Sequence, residues 1–336
     1  MAHLLQQMAY VGQTPWHQLG TQLPPRQPIE VWAREAGMDW TIRETPVRYM
    51  AEDADAHGPV RPLQTLESFS EQKVLYRSDT SAPLSVVSSR YQVVQPRAVL
   101  ELYRDLTEIA GYEMETAGVL KAGRKFWALA RTGQHTVFKG SDSVDGYLLL
   151  ATSCDGTLAT TVTPTTVRVV CHNTLAMAIS GASSNAIRVP HSTSFDADAI
   201  KRQLGIAVSQ WDSFMHRMKT LSERKVKGKE SLNYFLQVLY GPGAGQGVDG
   251  NDHRKRIVIP RERAVKKVQA LYDGQGRGAE LAAAKGTAWG LLNAVTEYVD
   301  HERRARSREY RLDSAWFGQG AVIKQRALTH ALELIA

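Results

Sequence analysis

The residues best suited to chemistry in this sequence are cations that are concentrated in one segment. Residues 217–267 contain thirteen Lys and Arg against five acids, a local excess of +8, whereas the whole chain carries +7. The rest of the chain therefore sums to −1 (+7 minus +8). Each Lys or Arg that neutralises a phosphate releases a condensed counterion, so a near-neutral body with one basic segment suits a polyanion-binding protein. The segment predicts a nucleic acid as the partner.

Two groups of cations within this segment are the predicted phosphate contacts. The first group is Arg224, Lys225, Lys227 and Lys229, and the second is Arg254, Lys255 and Arg256. Contacts of this kind position a strand without reading its sequence. The alternative is a solvated helix face, but such faces usually interleave both signs of charge.

A second predicted surface lies on a strand that follows a turn at residues 121–123. Its members are Arg124, Lys125, Trp127 and Arg131, with Arg168 on a later strand. Bases can stack on an aromatic ring while cations hold the backbone, which contributes about 1–3 kcal/mol per base. The alternative is an amphipathic strand on which Phe126 or Trp127 faces the core and the cations face water, because successive side chains alternate between faces.

The sequence offers weaker candidates for catalysis. Cys171 and His172 are adjacent on a predicted strand and point to opposite faces, so Cys171 is expected to be buried and structural. The loop acids Asp142, Asp145 and Asp155 could converge on a metal ion in a nuclease, although acids near glycine commonly form turns. The glycine-rich run 241–250 lacks the Lys-Ser/Thr pair of a P-loop. We predict no catalytic residue, no metal and no cofactor.

Composition narrows the class of protein. The chain has 336 residues, of which 43% are apolar and 22% charged, as in an ordinary globular protein. Two cysteines are too few for a disulfide framework, and the first twenty or so residues lack the apolar core of a secretory signal. No apolar stretch approaches the roughly 20 residues needed to span a bilayer. We expect a cytoplasmic protein with no membrane segment.

The sequence divides into three parts whose predicted elements position the candidate site residues. Residues 1–82 are rich in proline and are predicted to be irregular, apart from a short helix at 29–36. Residues 83–195 predict an α+β core, in which a helix begins at Pro96 and stops at Gly111. The strands of its antiparallel meander are predicted at 112–119, 125–132, 146–153 and 158–170, followed by a helix at 173–180. The dipeptide Asp155-Gly156 indicates a hairpin.

Residues 196–336 are predicted to be helical. An apolar stripe from Ile200 to Met218 indicates one long helix, and the basic segment 217–267 opens as that stripe ends. A helix at 231–240 and the glycine-rich loop 241–250 divide the segment in two. Two closing helices are predicted at 285–304 and 320–335.

Five runs of the sequence resemble the phage/plasmid-like proteins of domain of unknown function 932 (DUF932). They are PWHQLGT (15–21), AGMDW (36–40), VSSRYQVVQP (87–96), RVVCHNTL (168–175) and GTAWG with NAVTEY (286–290 and 293–298). The resemblance spans nearly the whole chain and implies that the protein is encoded by a mobile genetic element of a bacterial host. It implies no activity. The order of helix, meander and helix is also similar to the helix-β-β-β-helix core of Rad52-type single-strand annealing proteins of phages, although fold alone does not establish function.

These observations lead to one hypothesis and two rivals. The leading hypothesis is an ATP-independent protein that binds and anneals single-stranded DNA as a homo-oligomer, a ring or a filament, with Lys and Arg neutralising the repulsion between strands. The first rival is a metal-dependent enzyme acting on nucleic acid. The second is a protein that binds a host factor and uses its basic segment for electrostatic steering.

Overall fold

A computed structural model describes residues 7–12, 15, 19–52, 64–180, 183–184, 186–208, 211–241 and 259–336. Its strands are β1 (Met8–Val11), β2 (Thr21–Leu23), β3 (Ile42–Glu52), β4 (Gln64–Arg77), β5 (Pro83–Ser88), β6 (Glu113–Leu120), β7 (Lys125–Phe138), β8 (Asp142–Ser153), β9 (Thr160–Arg168), β10 (Asn173–Ala176), β11 (Ala178–Ser180), β12 (Ser183–Ser184) and β13 (Ile187–Val189). Its helices are α1 (Ile29–Glu35), α2 (Pro96–Ala110), α3 (Ala197–Val208), α4 (Trp211–Glu223), α5 (Gly228–Tyr240), α6 (Ile259–Ala270), α7 (Ala288–Glu297), α8 (Arg308–Phe317) and α9 (Gln319–Glu333). The fold is α+β, as predicted, with a helical C-terminal part.

The main sheet is built on the predicted meander. Its strand order is β10-β9-β8-β7-β6-β1-β2, and β13 also pairs with β9. Neighbouring strands are antiparallel except β1 and β2, which are parallel. Strands β7 and β8 continue beyond the predicted bounds, as far as the pairs His135 with Asp145 and Phe138 with Asp142.

Both faces of this sheet are covered, because β7 and β8 carry apolar side chains on both of their faces. Phe126, Leu148 and Leu150 pack with α1 and α2 on one face. Trp127 and Leu149 face the opposite side, where Leu312 of α8 covers them. A third cluster lies among α4 to α9 and contacts the end of the sheet. Phe126 and Trp127 are therefore both fully buried, one on each face of the sheet.

Helix α2 has the predicted bounds and is anchored to the sheet by a tyrosine. Gly111 ends the helix in the left-handed conformation with φ 68°, which glycine adopts without steric cost. Tyr103, which is fully buried, places its hydroxyl 2.8 Å from the carbonyl oxygens of Ala128 and Leu148 and accepts a bond from the Leu150 amide.

Removing that hydroxyl is expected to weaken the fold measurably. Tyr103→Phe leaves the buried Leu150 amide without its acceptor, so we expect the free energy of unfolding to fall by about 1–3 kcal/mol. Urea denaturation measures the change. Tyr112→Phe is the matched control, because Tyr112 is also buried and its hydroxyl makes no hydrogen bond among the described residues. Equal losses for the two variants would contradict the assigned role of Tyr103.

Three sequence predictions about elements are wrong. The proline-rich segment 1–82 contains the long strands β3 and β4, and Pro46 is tolerated there because β3 is an edge strand whose register shifts between Pro46 and Val47. Residues 173–176 form β10, since they pair with β9 across a turn at 169–172. The apolar stripe from Ile200 to Met218 belongs to two helices, α3 and α4.

The closing helices are close to the predicted ones. Helix α7 starts at Ala288, because the Thr287 hydroxyl accepts a bond from the Gly290 amide and caps the helix. It ends in a wide π-helical turn, Tyr298–Glu302. None of the helices in the described part of the chain has the length and apolar character that crossing a bilayer requires.

Candidate nucleic-acid interface

The first predicted group of cations lies in the connection between α4 and α5 and in the first turn of α5. Two backbone bonds hold this connection against the loop before α7, from the Val226 amide to the Gly286 carbonyl at 3.0 Å and from the Ala288 amide to the Arg224 carbonyl at 2.9 Å. Lys225 and Thr287 form an isolated β-bridge at the same place. The two loops are therefore fixed side by side.

Four lysines are exposed where these loops meet, and we refer to them as the basic turn. They are Lys225, Lys227, Lys229 and Lys285. Lys285 lies in the second loop and was not among the predicted contacts. Its Nζ is 2.8 Å from Glu280, an ion pair in which both side chains are about two-thirds exposed, so water screens the pair strongly. The side chains of Lys227 and Lys229 form no ion pair with the described part of the chain.

Arg224 has a structural role instead. Its guanidinium pairs with Glu230 and donates from Nε to the carbonyl oxygen of Leu334 at 3.1 Å. These bonds connect the start of the basic turn to the end of α9. Arg224 is therefore a support for the turn, because its donors are already used.

The second predicted group, Arg254, Lys255 and Arg256, lies outside the described residues. The described ends of the chain on either side of it are Gly241 and Ile259. Helix α5 has 13 residues, so about 20 Å separates the basic turn from Gly241.

The predicted surface on β7 is mostly internal. Lys125 is 4% exposed, and its Nζ is 2.6 Å from Asp313 of α8, which also pairs with Lys121 at 2.9 Å. Trp127 is fully buried with its ring 4.7 Å from that of Trp316. Neither side chain can contact a nucleic acid in this fold, so both are corrected to structural residues. Arg124 is exposed and stays a predicted contact.

Arg131 lies in a cleft of about 440 Å³ that contains several acids. Its guanidinium is 2.9 Å from Glu115 and 4.0 Å from Asp145, and it donates to the Tyr147 hydroxyl at 3.1 Å. Burial, followed by the Glu115 carboxylate, raises the pKa of Tyr147. The hydroxyl therefore stays protonated and donates to Glu115 at 2.7 Å. These carboxylates neutralise Arg131 and make it a poor phosphate contact.

Arg168 is also unavailable, because it forms a buried two-pronged ion pair. Its Nε and Nη2 each lie 2.7 Å from a carboxylate oxygen of Asp142, and the two side chains are 3% and 0% exposed. The guanidinium also donates to the carbonyl oxygens of Arg277 and Gly278. Trp289 donates to the same carboxylate at 2.9 Å. The prediction that Arg168 contacts a strand is therefore corrected.

A second buried network joins the start of β10 to the C-terminal helices. Lys324 donates to Asp300 and to the Thr174 hydroxyl, each at 2.9 Å, and burial lowers the pKa of Lys324 although Asp300 opposes this. Asn173 contacts Thr296 and His301. Residues 168–175 and 286–298, which carried part of the family resemblance, thus meet through buried polar contacts. They are the scaffold that holds the helices on the sheet.

Both cysteines are buried, as was predicted for Cys171. Cys171 is 1% exposed, and burial raises the pKa of its thiol to about 12. It lies in the turn between β9 and β10 and not on a strand, and His172 follows it with φ 53°. Cys154 is equally buried, and burial raises its thiol pKa to about 12 as well.

Alkylation tests the burial of both thiols. At pH 8 a thiol of pKa about 12 is ionised in about one molecule in ten thousand, and only the thiolate reacts. We expect iodoacetamide to modify neither cysteine in the native protein and both in urea, as measured by mass spectrometry. Rapid modification of one cysteine in the native protein would show an exposed thiol and contradict this assignment.

The three loop acids do not converge. Asp142 pairs with Arg168, Asp145 lies 2.6 Å from His135, and Asp155 accepts bonds from Thr157. Among the described residues, no group of three or more His, Cys, Asp or Glu side chains is arranged to hold a metal ion. The described acids therefore give no geometry for the metal-dependent enzyme.

Comparison with known proteins assigns a family. The family described as Domain of unknown function (DUF932) matches residues 83–316. This range covers more than half of the chain, from β5 into α8, and includes the resembling runs at 87–96, 168–175 and 286–298. No curated protein and no solved structure matches the chain. The protein therefore belongs to the DUF932 family.

Proposed function

We propose that this protein binds single-stranded DNA and anneals complementary strands without ATP. The observation that supports the proposal is the basic turn, where backbone bonds hold the start of α5, with three exposed lysines, beside the loop that carries the exposed Lys285. Exposed, flexible lysines suit contacts to a sugar-phosphate backbone, because they neutralise charge without requiring a particular sequence. Arg124 is proposed as a further contact.

The proposed mechanism is electrostatic. Lysines that neutralise a strand lower its repulsion for a complementary strand, while the bases stay free to pair. The order of α2 followed by the meander β6 to β9 is similar to the helix and strands of the helix-β-β-β-helix core of Rad52-type annealing proteins, although fold alone does not establish function. We propose that the protein is encoded by a phage or plasmid and acts in the cytoplasm of the bacterial host. We propose that it works as a homo-oligomer, either a ring or a filament.

A salt titration with oligonucleotides tests the proposal. We expect binding at about 50 mM salt, a steep loss of affinity by about 200 mM, and a preference for single strands over duplex. Annealing of complementary strands is expected without added metal or nucleotide. Cleavage that requires Mg²⁺ would favour the enzyme hypothesis, and no measurable affinity at about 50 mM salt would contradict the proposal.

A further inference from the structure

The outer part of the β3–β4 hairpin is an unsupported ribbon, which we call the β-arm (residues 47–52 and 64–71). Strand β5 pairs with β4 only over residues 72–76, so the described part of the β-arm has two strands and no third. Six residues of β3 extend it by about 20 Å. A two-stranded ribbon is only marginally stable in water unless something packs against it.

The β-arm exposes large apolar side chains on both of its faces. Tyr49 is 52% exposed, and Phe69 is 41% exposed on the same face, two residues along the ribbon. Met50 and Leu66 are paired on the opposite face and are 55% and 57% exposed. Exposed apolar groups concentrated on one projecting element indicate a surface that another molecule covers.

The charge of the β-arm indicates the kind of surface that it contacts. The residues of the β-arm include one Arg, Arg48, and three acids, Glu52, Glu67 and Glu71, a net charge of −2 in a chain of +7. Such an arm is repelled by the phosphates of a nucleic acid and attracted to a basic protein surface.

The same chain carries a complementary surface, the sheet groove. It is a cavity of about 670 Å³ between β7, β8 and β9 on one side and α8 and α9 on the other. Its apolar walls include Leu129, Leu149, Phe317 and Val322, and the last of these is 51% exposed.

The charged residues that line the sheet groove all have the same sign. They are Arg188, Lys324 and Arg326, and no carboxylate lines the groove among the described residues. Lys324 and Arg326 already have internal partners, Asp300 and the Val238 carbonyl. The groove is therefore mainly apolar with a positive bias, which matches an apolar and acidic ribbon better than a phosphate chain.

We propose that the β-arm of one copy docks in the sheet groove of a second copy. No described residue of the β-arm lines the groove of its own chain. A contact between two different surfaces of identical chains is head-to-tail, and it generates a ring if it closes and a filament if it does not. This inference deepens the proposed function, on which it rests for the expectation of an oligomer.

The first test removes the apolar groups of the β-arm. In Y49S/M50S/L66S/F69S we expect sedimentation to show single chains under conditions where the unmodified protein is an oligomer. V137S/V170S/L232S/Y310S is the matched control, because these four side chains are between 43% and 47% exposed elsewhere on the surface. The control is expected to remain an oligomer. The proposal would be overturned if both variants lost the oligomer or if neither did. It would also be overturned if the unmodified protein were itself a single chain.

The second test identifies the two surfaces by a disulfide. Both native cysteines are buried, so Met50→Cys and Val322→Cys each introduce one accessible thiol. We expect a cross-linked dimer when the two variants are mixed and none when either is oxidised alone. A dimer formed by Met50→Cys alone would overturn the proposal in favour of an arm-to-arm contact. Protection of the Val322→Cys thiol by an oligonucleotide, without cross-linking, would overturn it in favour of a nucleic acid in the groove.

The two proposals can fail separately. A variant with the altered β-arm keeps the basic turn, so its single chains are expected to bind a short oligonucleotide with an affinity within about threefold of the unmodified protein, because a rigid site keeps its contacts. Loss of the oligomer with retained binding supports the docking of the β-arm. Absence of binding in every variant refutes the proposed function alone.

Discussion

Replacing Asp142 with alanine is expected to destabilise the protein by about 3–5 kcal/mol, because the substitution leaves the Arg168 guanidinium buried without its counterion. The pair is almost completely shielded from water, and Asp142 also accepts the indole N–H of Trp289. A loss of this size is a large part of the roughly 5–15 kcal/mol that stabilises an ordinary domain. Urea denaturation followed by circular dichroism measures it.

A double variant separates the cost of leaving a buried charge unpaired from the cost of lost packing. In Asp142→Leu with Arg168→Met, both charges are replaced by apolar groups, and a large part of the stability is expected to return, because no buried charge is left unpaired. Arg34→Ala is the surface control, since the Arg34 side chain is 63% exposed, and its effect is expected to be within about 0.5 kcal/mol. A cost below about 1 kcal/mol for Asp142→Ala would contradict the burial of this pair.

Reversing the four charges of the basic turn is expected to lower the affinity for a single-stranded oligonucleotide by about 100-fold at about 50 mM salt, since four phosphate contacts become repulsive. The variant is K225E/K227E/K229E/K285E. The slope of log affinity against log salt is expected to become shallower by about 3, as each contact to a single strand contributes about 0.7. Fluorescence anisotropy measures both quantities.

A control variant with the same net charge separates the effect of net charge on affinity from the effect of where the lysines lie. R34E/R43E/R90E/R104E reverses four exposed arginines outside the basic turn, so both variants change the chain from +7 to −1. The control is expected to keep most of the affinity, because long-range fields are screened beyond about 10 Å at 0.1 M salt. Equal losses in the two variants would show that net charge, and not the position of the lysines, determines binding.

The sequence predicted the elements whose signals are local. Helix α2 runs from Pro96 to the residue before Gly111, and the meander β6 to β9 lies where alternating runs and the Asp155-Gly156 dipeptide placed it. Strands β3 and β4 were not predicted, because the many prolines within residues 1–82 indicated irregular structure more strongly than the alternation of polar and apolar residues indicated strands. Strand β10 was missed because pairing with β9 determines its conformation, and that pairing depends on a turn with a non-glycine residue, His172, at φ 53°.

The exposure of the predicted site residues followed from the sequence only where no distant partner intervenes. Lys125 carries a cation on a strand, and the sequence around it does not reveal that Asp313, 188 residues away, neutralises it. The partner of Arg168 is likewise 26 residues away on another strand. Lys225, Lys227 and Lys229, which lie in the connection between α4 and α5 and in the first turn of α5, are exposed as expected.

The most direct test of the central claim is a footprint of the lysines with and without a single-stranded oligonucleotide. Acetylation read by mass spectrometry reports each lysine separately, with Lys73 and Lys121, which pair with Glu44 and Asp313, as internal references. We predict that the oligonucleotide slows acetylation of Lys225, Lys227, Lys229 and Lys285 and leaves the references unchanged. Unchanged acetylation of these four lysines under conditions where the oligonucleotide is bound would contradict the proposed interface.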